Sequence, residues 1–369
     1  MAVKNLENLV KKEVLSLDAY IPSKTREEVK QDIGFREVIN LATNESVLGP
    51  SVLVQEAIKS ALPVIHQYPD GSSSLLRQEI ASQLGIDPQM LIITNGGDEL
   101  IYLLGNSFIT PGDEVIMGEY GFKTYENATT INGGKLIMVP FQKRKHDLPA
   151  MAAAVSNKTK MIFLNNPHNP NGTIFTHEEL KDFLRRIPQN IIIVLDEAYC
   201  DFVENQEFPD SIKLIREDEH YLVVLRTFSK IGGMAGLRVG FGIAQEEIIY
   251  YLKKIQPPYS VNCLAQVAAR AFLADERYRG ELLQNNREGK AFLYQQFDRL
   301  KLSYIPTEAN FIYVDMKKDA EVITDKLMEK GIIVRSGRLW GCDTFLRITI
   351  GTQKQNQQLI YALEEILLE

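Results

Sequence analysis

YLVVLRTFSKIGGMAGLRVGF, residues 221–241, is the stretch on which the reading of this chain turns. Its opening YLVVL is a continuous apolar run with the length and composition of a strand buried on both faces. Directly behind it come Thr227, Ser229 and Lys230, then a glycine pair, then Arg238 eight positions after the lysine. Runs of the same kind recur upstream: LIIT (91–94), EVIM (114–117), KLIMV (135–139), MIFL (161–164) and IIIVL (191–195). Helix signals lie between them. In THEELKDFLRRI, for example, Thr176 and Glu179 have capping-box spacing ahead of an amphipathic stretch. Strands alternating with helices predict an α/β fold, a mainly parallel sheet covered by helices.

A chain of 369 residues exceeds what one hydrophobic core usually serves, so a large and a smaller domain are expected. The texture changes after about Pro257, to long helices from Ser260 and from Glu276 to Leu300. FIYVD, a helix from Asp319, IIVR, FLRITI and a closing helix follow. This predicts a large α/β domain over residues 51–257 and a smaller α+β domain formed by residues 1–50 with 258–369. Hydrophobic residues make up 45% and charged residues 24%, with net charge -7 and no lysine or arginine block. Nothing there suits nucleic acid or an anionic membrane, and small-molecule chemistry is expected instead. MAVKNLENLVKKEV lacks the apolar core of a signal peptide, and no run approaches the length of a membrane span. Cys200, Cys263 and Cys342 are scattered without metal-ligand spacing, so no metal is expected and a reducing cytoplasm fits best.

In open α/β sheets functional residues gather beyond the carboxyl ends of strands. LIIT leads into NGGDE, a glycine turn whose following helix presents N–H groups to a phosphate. MIFL leads into NNPHNPNG (165–172), IIIVL into DEAY (196–199), and YLVVL into RTFSK. Each piece alone has an ordinary explanation as a turn, a cap or a surface lysine. Together they match the needs of one cofactor, pyridoxal 5′-phosphate: a lysine for its aldehyde, an acid for its ring nitrogen, donors for its phenolic oxygen and a cradle for its phosphate.

At this point the chain resembles the fold-type I, aspartate-aminotransferase-like family. NPHNPNG looks like its NPxNPTG segment, DEAY like its D-x-x-Y, and SKIGGMAGLRVG like its SK-x-x-x-x-x-G-x-R-x-G, in matching order from about Tyr20 to Thr352. The resemblance implies a large domain with a mainly parallel seven-stranded sheet. It implies that Lys230 binds the cofactor aldehyde and later moves the substrate proton, and that Asp196 pairs with the ring nitrogen. Tyr199 and Asn169 would meet the phenolic oxygen. Gly97, Asp98, Thr227, Ser229 and Arg238 would hold the phosphate, and Phe122 would stack on the ring.

AYIPSK, LATNESVLGPS, YPDGSSSLLRQEIA and GIIVRSGRLWG followed by FLRITIGT are similar to segments of the histidinol-phosphate aminotransferase group. That likeness implies a homodimer in which Tyr68 reaches the partner's cofactor phosphate. It also implies substrate contacts from Tyr20, Asn44, Arg335 and Arg347, the two arginines meeting the substrate's anionic groups. The expected reaction is transamination between histidinol phosphate and 2-oxoglutarate in histidine biosynthesis. Departures fall near the substrate: Ser46 and Val47 stand for a usual Asn-Pro, Ser23 for glycine, and Glu119 and Tyr120 for Pro-Thr. They keep open an aromatic amino-acid aminotransferase and, further off, a threonine-phosphate decarboxylase. A non-catalytic cofactor-binding regulator is the contrasting class.

Overall fold

The computed structural model describes residues 6–19, 24–34 and 37–368, so Tyr20 and Ser23 lie outside the described residues. The central sheet has seven strands: β1 (Leu91–Thr94), β2 (Glu114–Gly118), β3 (Lys135–Val139), β4 (Thr159–Asn165), β5 (Ile192–Asp196), β6 (Tyr221–Thr227) and β7 (Gly240–Ala244). Their order is β1-β7-β6-β5-β4-β2-β3. β7 runs antiparallel to both neighbours and the other pairings are parallel. The apolar runs behave as strands covered on both faces. Along β5, Ile193 and Leu195 enter one core while Ile192 and Val194 enter the other.

β7 is the strand that the apolar runs do not announce, because glycines dilute it. Space explains them. A Cβ on Gly240 would lie 3.0 Å from the Gly96 carbonyl carbon and 3.1 Å from the Gly97 nitrogen. The bare backbone of β7 is what lets the turn after β1 lie against the sheet.

A second, antiparallel sheet contains β8 (Ser303–Ile305), β9 (Phe311–Asp315), β10 (Arg335–Ser336) and β11 (Phe345–Thr349), in the order β10-β11-β9-β8. Ile312, Val314, Leu346 and Ile348 form its core with Leu293, Phe297, Leu359 and Leu363 from flanking helices. The N-terminal segment joins here. Ile39–Asn40 pairs in parallel with Ile332–Ile333, and Leu41 enters this core.

One helix departs from the expected division at residue 257. Cys263–Leu273 packs Ala265, Ala268, Ala269 and Phe272 into the core under the central sheet, beside Val54. It starts at Cys263, where the Asn262 side chain caps the Ala265 N–H, rather than at Ser260. Its many alanines suit close helix–helix packing, which composition alone could not assign to one sheet or the other. Among the described residues, no helix is long and apolar enough to cross a membrane.

Candidate active site

The carboxyl ends of β4, β5 and β6 lie side by side, with Asn165 opposite Asp196 and Asp196 opposite Leu225. Asp196 is buried. Its carboxylate accepts hydrogen bonds from the Tyr125 hydroxyl and from the Ala198 N–H at 3.0 Å. Burial nevertheless pushes its pKa up to about 6, outweighing what those bonds do for the charged form. Among the described residues no cation pairs with this carboxylate. Three residues on, Tyr199 lies against Phe311, and its hydroxyl oxygen accepts from Asn44 Nδ2 at 3.0 Å. Lys230 Nζ stands 5.7 Å from the centre of the Tyr199 ring and donates to the Thr43 carbonyl at 3.1 Å.

Beside this group is a polar cradle. The helix Gly96–Phe108 begins without a side-chain cap from Asn95, so its first N–H groups face outward from a positive helix end. Gly96 has φ of 77°, and a Cβ there would sit 2.7 Å from an Arg238 Nη atom. Arg238 reaches Asp98 Oδ2 at 3.1 Å and Ser229 Oγ at 3.4 Å, and the Thr227 hydroxyl donates to Ser229 Oγ at 2.9 Å. Gly97, Asp98, Thr227, Ser229 and Arg238 are therefore one cluster.

The small sheet contributes two arginines. Arg335 and Arg347 are direct cross-strand partners of β10 and β11, so they project from the same face. Arg347 is buried. It donates to Asn169 Oδ1 at 2.6 Å and to the Ala42 carbonyl, and lies 5.1 Å from the centre of the Trp340 ring. Asn44, at φ of 55°, bonds to both sides of the cleft: its backbone N–H donates to Thr349 Oγ1 at 3.0 Å while its amide serves Tyr199.

Two expected residues are exposed. Tyr68 is 82% exposed and stacks on Tyr259 at 4.7 Å. Phe122 is 41% exposed, edge-on to Tyr125 at 5.8 Å. Asn169, expected at the phenolic oxygen, accepts from Arg347 through its Oδ1. Tyr125, the fully buried donor to Asp196, is the residue that sequence reading passed over. Its signal was its place three residues after Phe122, one helical turn along Lys123–Thr130.

Residues 36–363 match the sequence model of the family described as aminotransferase class I and II. A histidinol-phosphate aminotransferase from Moorella thermoacetica is 46% identical over 354 residues, 96% of this chain and 92% of that protein. Histidinol-phosphate aminotransferase 2 of Carboxydothermus hydrogenoformans is 42% identical over 97% of this chain and 99% of its own. Among solved structures, histidinol-phosphate aminotransferase from Sinorhizobium meliloti in complex with pyridoxal-5′-phosphate superposes with a TM-score of 0.89 at 28% identity, covering 97% of each chain. On this match the chain belongs to the class I and II aminotransferase family, in its histidinol-phosphate aminotransferase group.

Proposed function

We propose that the protein exchanges an amino group between histidinol phosphate and 2-oxoglutarate, with pyridoxal phosphate as cofactor, in the cytoplasm and as a homodimer. The observation that carries the substrate assignment is the pairing of Arg335 with Arg347. Two guanidinium groups on one sheet face can each give a dianion charge-assisted hydrogen bonds. A phosphate monoester in one half-reaction and the carboxylates of glutamate in the other both answer that description.

The residues fit the cofactor. Asp196, buried and with no cation paired to it among the described residues, suits a protonated ring nitrogen, and the cradle around Gly97 and Arg238 suits a phosphate. Pyridoxal phosphate, when bound, supplies an aldehyde for the amino group and a ring that spreads the electrons released as the substrate's carbon–hydrogen bond breaks. The remaining work falls to the chain. Lys230 Nζ takes the proton from the substrate carbon and returns it at the other end of the exchange. Asp196 holds the ring nitrogen's proton in place. Tyr199, whose oxygen already accepts from Asn44, keeps its own proton to donate toward the phenolic oxygen. Asn169, whose Oδ1 is occupied by Arg347, keeps its amide N–H groups for the same oxygen. Phe122 would cover the ring's face.

A second copy of the chain is supported by the exposed apolar side chains that follow one another along residues 52–68, Val52, Leu53, Leu62, Ile65 and Tyr68. Tyr68 then serves the partner's cradle. Mixing Tyr68→Phe subunits with Lys230→Ala subunits tests this: action across the interface regenerates one intact site per heterodimer, whereas action within a subunit leaves none. The substrate is tested by steady-state kinetics with histidinol phosphate, phenylalanine, tyrosine and glutamate. A wild-type enzyme that prefers phenylalanine or tyrosine to histidinol phosphate sinks the assignment.

A further inference from the structure

Between the small sheet and the turn after β4 lies a cavity of about 190 Å³, and Arg347 stands behind its Trp340 wall. Trp340 links the two, lining the cavity and carrying the Arg347 guanidinium near its ring. Two lining side chains are deeply buried yet have polar atoms without hydrogen-bond partners among the described residues: the Tyr313 hydroxyl and both ring nitrogens of His168. Buried polar atoms in this state call for a partner, a water or a ligand group in the cavity they line. Tyr313 is the residue directly opposite Arg347 on β9, so the cavity opens on the face that carries both arginines of the small sheet.

Arg144 enters this space from the large unit. Its turn is fastened to the loop bearing Asn169, because the Arg144 carbonyl accepts from Asn171 Nδ2 at 2.6 Å and from Thr173 Oγ1 at 3.2 Å. Its guanidinium sits 4.2 Å from the centre of the Phe345 ring. Phe345 precedes Arg347 by two positions on β11 and therefore shares its face. Glu119 also lines the cavity, so an anion entering it needs a cation close by.

We propose that Arg144 is a third arginine of the substrate-anion site, binding the phosphate monoester from the side opposite the small sheet and favouring phosphate over carboxylate. The chemistry is a matter of oxygens. A carboxylate has two, which Arg335 and Arg347 satisfy, whereas a phosphate monoester has a third terminal oxygen that needs its own donor. This rests on the phosphorylated substrate proposed above.

The test is Arg144→Gln beside Arg144→Lys in the cofactor-loaded enzyme, with inorganic phosphate as a competitive probe. Arg144→Gln should raise KM for histidinol phosphate about tenfold, with kcat little changed, and weaken inhibition by inorganic phosphate by a similar factor. KM for glutamate should stay within about twofold, and lysine, which keeps the charge but not the planar fork stacked on Phe345, should restore only part of the loss. An unchanged KM and unchanged phosphate inhibition overturn the inference, as does an equal loss for glutamate. If the wild type does not use histidinol phosphate, the functional reading is what fails, and inhibition by inorganic phosphate still decides whether Arg144 binds an anion.

Discussion

The neighbourhood of Asp196 and the neighbourhood of Arg347 face each other in one cleft but are assembled differently. Around Asp196 and the Gly96–Arg238 cradle, the side chains stand at the ends of strands of one sheet or in the turns beyond them, so even Asp98 and Arg238, 140 positions apart, are brought together by the strand order of that sheet. Around Arg347, partners come from far apart: Asn169 lies 178 positions away and Ala42 lies 305 away. The first arrangement is dictated by strand order within one sheet and the second by packing between sheets. Substitutions in the first should therefore damage chemistry whatever the substrate, while substitutions in the second should discriminate among substrates.

The largest effect expected is that of Lys230→Ala, a loss of roughly 10³- to 10⁴-fold in turnover with every amino donor, as removal of a positioned proton carrier predicts. Borohydride reduction and peptide mapping of the wild type should place the pyridoxyl group at Lys230, and a label on another lysine would break the comparison at its root. Asp196→Asn comes next, with about 10²-fold lower turnover and the cofactor still bound. It also has a pH signature in the cofactor-free protein. The Asp196 carboxyl has a folded pKa of about 6, above its ordinary value, so its burial is neutral to stability below about pH 4 and costs stability as it ionises through pH 6. Cofactor-free Asp196→Asn should thus melt above wild type at pH 7.5, the gap closing toward pH 4. A gap that persists at pH 4 would show that ionisation is not its cause.

Arg335→Leu sharpens the contrast from the other side. It should lower kcat/KM for histidinol phosphate by about 10- to 100-fold while sparing phenylalanine, which has no phosphate to lose. Equal losses for both would assign Arg335 to a shared group or to the fold. The smallest effect is expected from Tyr125→Phe. Loss of one hydrogen bond to a carboxylate should reduce turnover about tenfold and raise the pKa of Asp196 further, visible as a shift in the pH dependence of the bound cofactor's absorbance. A lower turnover with an unmoved pH profile would mean that Tyr125 serves only packing.

The same contrast explains what could be read in advance. Lys230, Asp196, Tyr199 and Arg238 each follow an apolar run at a spacing that a strand and one turn impose, and strands covered on both faces are conspicuous in sequence. β7 escaped because Gly240 and Gly242 interrupt its apolar character, and their reason is a neighbour far away in the chain. Tyr125 escaped because a buried aromatic ring three residues into a helix looks like core, and its hydroxyl gains meaning only when β5 brings Asp196 beneath it. Asn44 and Tyr199 lie 155 positions apart, a bond that no local pattern foretells. The helix at Cys263–Leu273 is a case of the same kind, its sequence compatible with either sheet and its place decided by the helix carrying Val54.

Asn44 ties the two regions mechanically. It is tethered to Thr349 of the small sheet through both its backbone N–H and its side-chain oxygen, and to Tyr199 of the large one through its amide. A rigid-body swing of the small sheet cannot leave the Tyr199 hydroxyl undisturbed. It must stretch that bond or trade it for another, just as it must drag Asn169 through Arg347. Opening the cleft and retuning the donors beside Lys230 are therefore a single motion, in which whatever pulls on the arginines is felt at Tyr199.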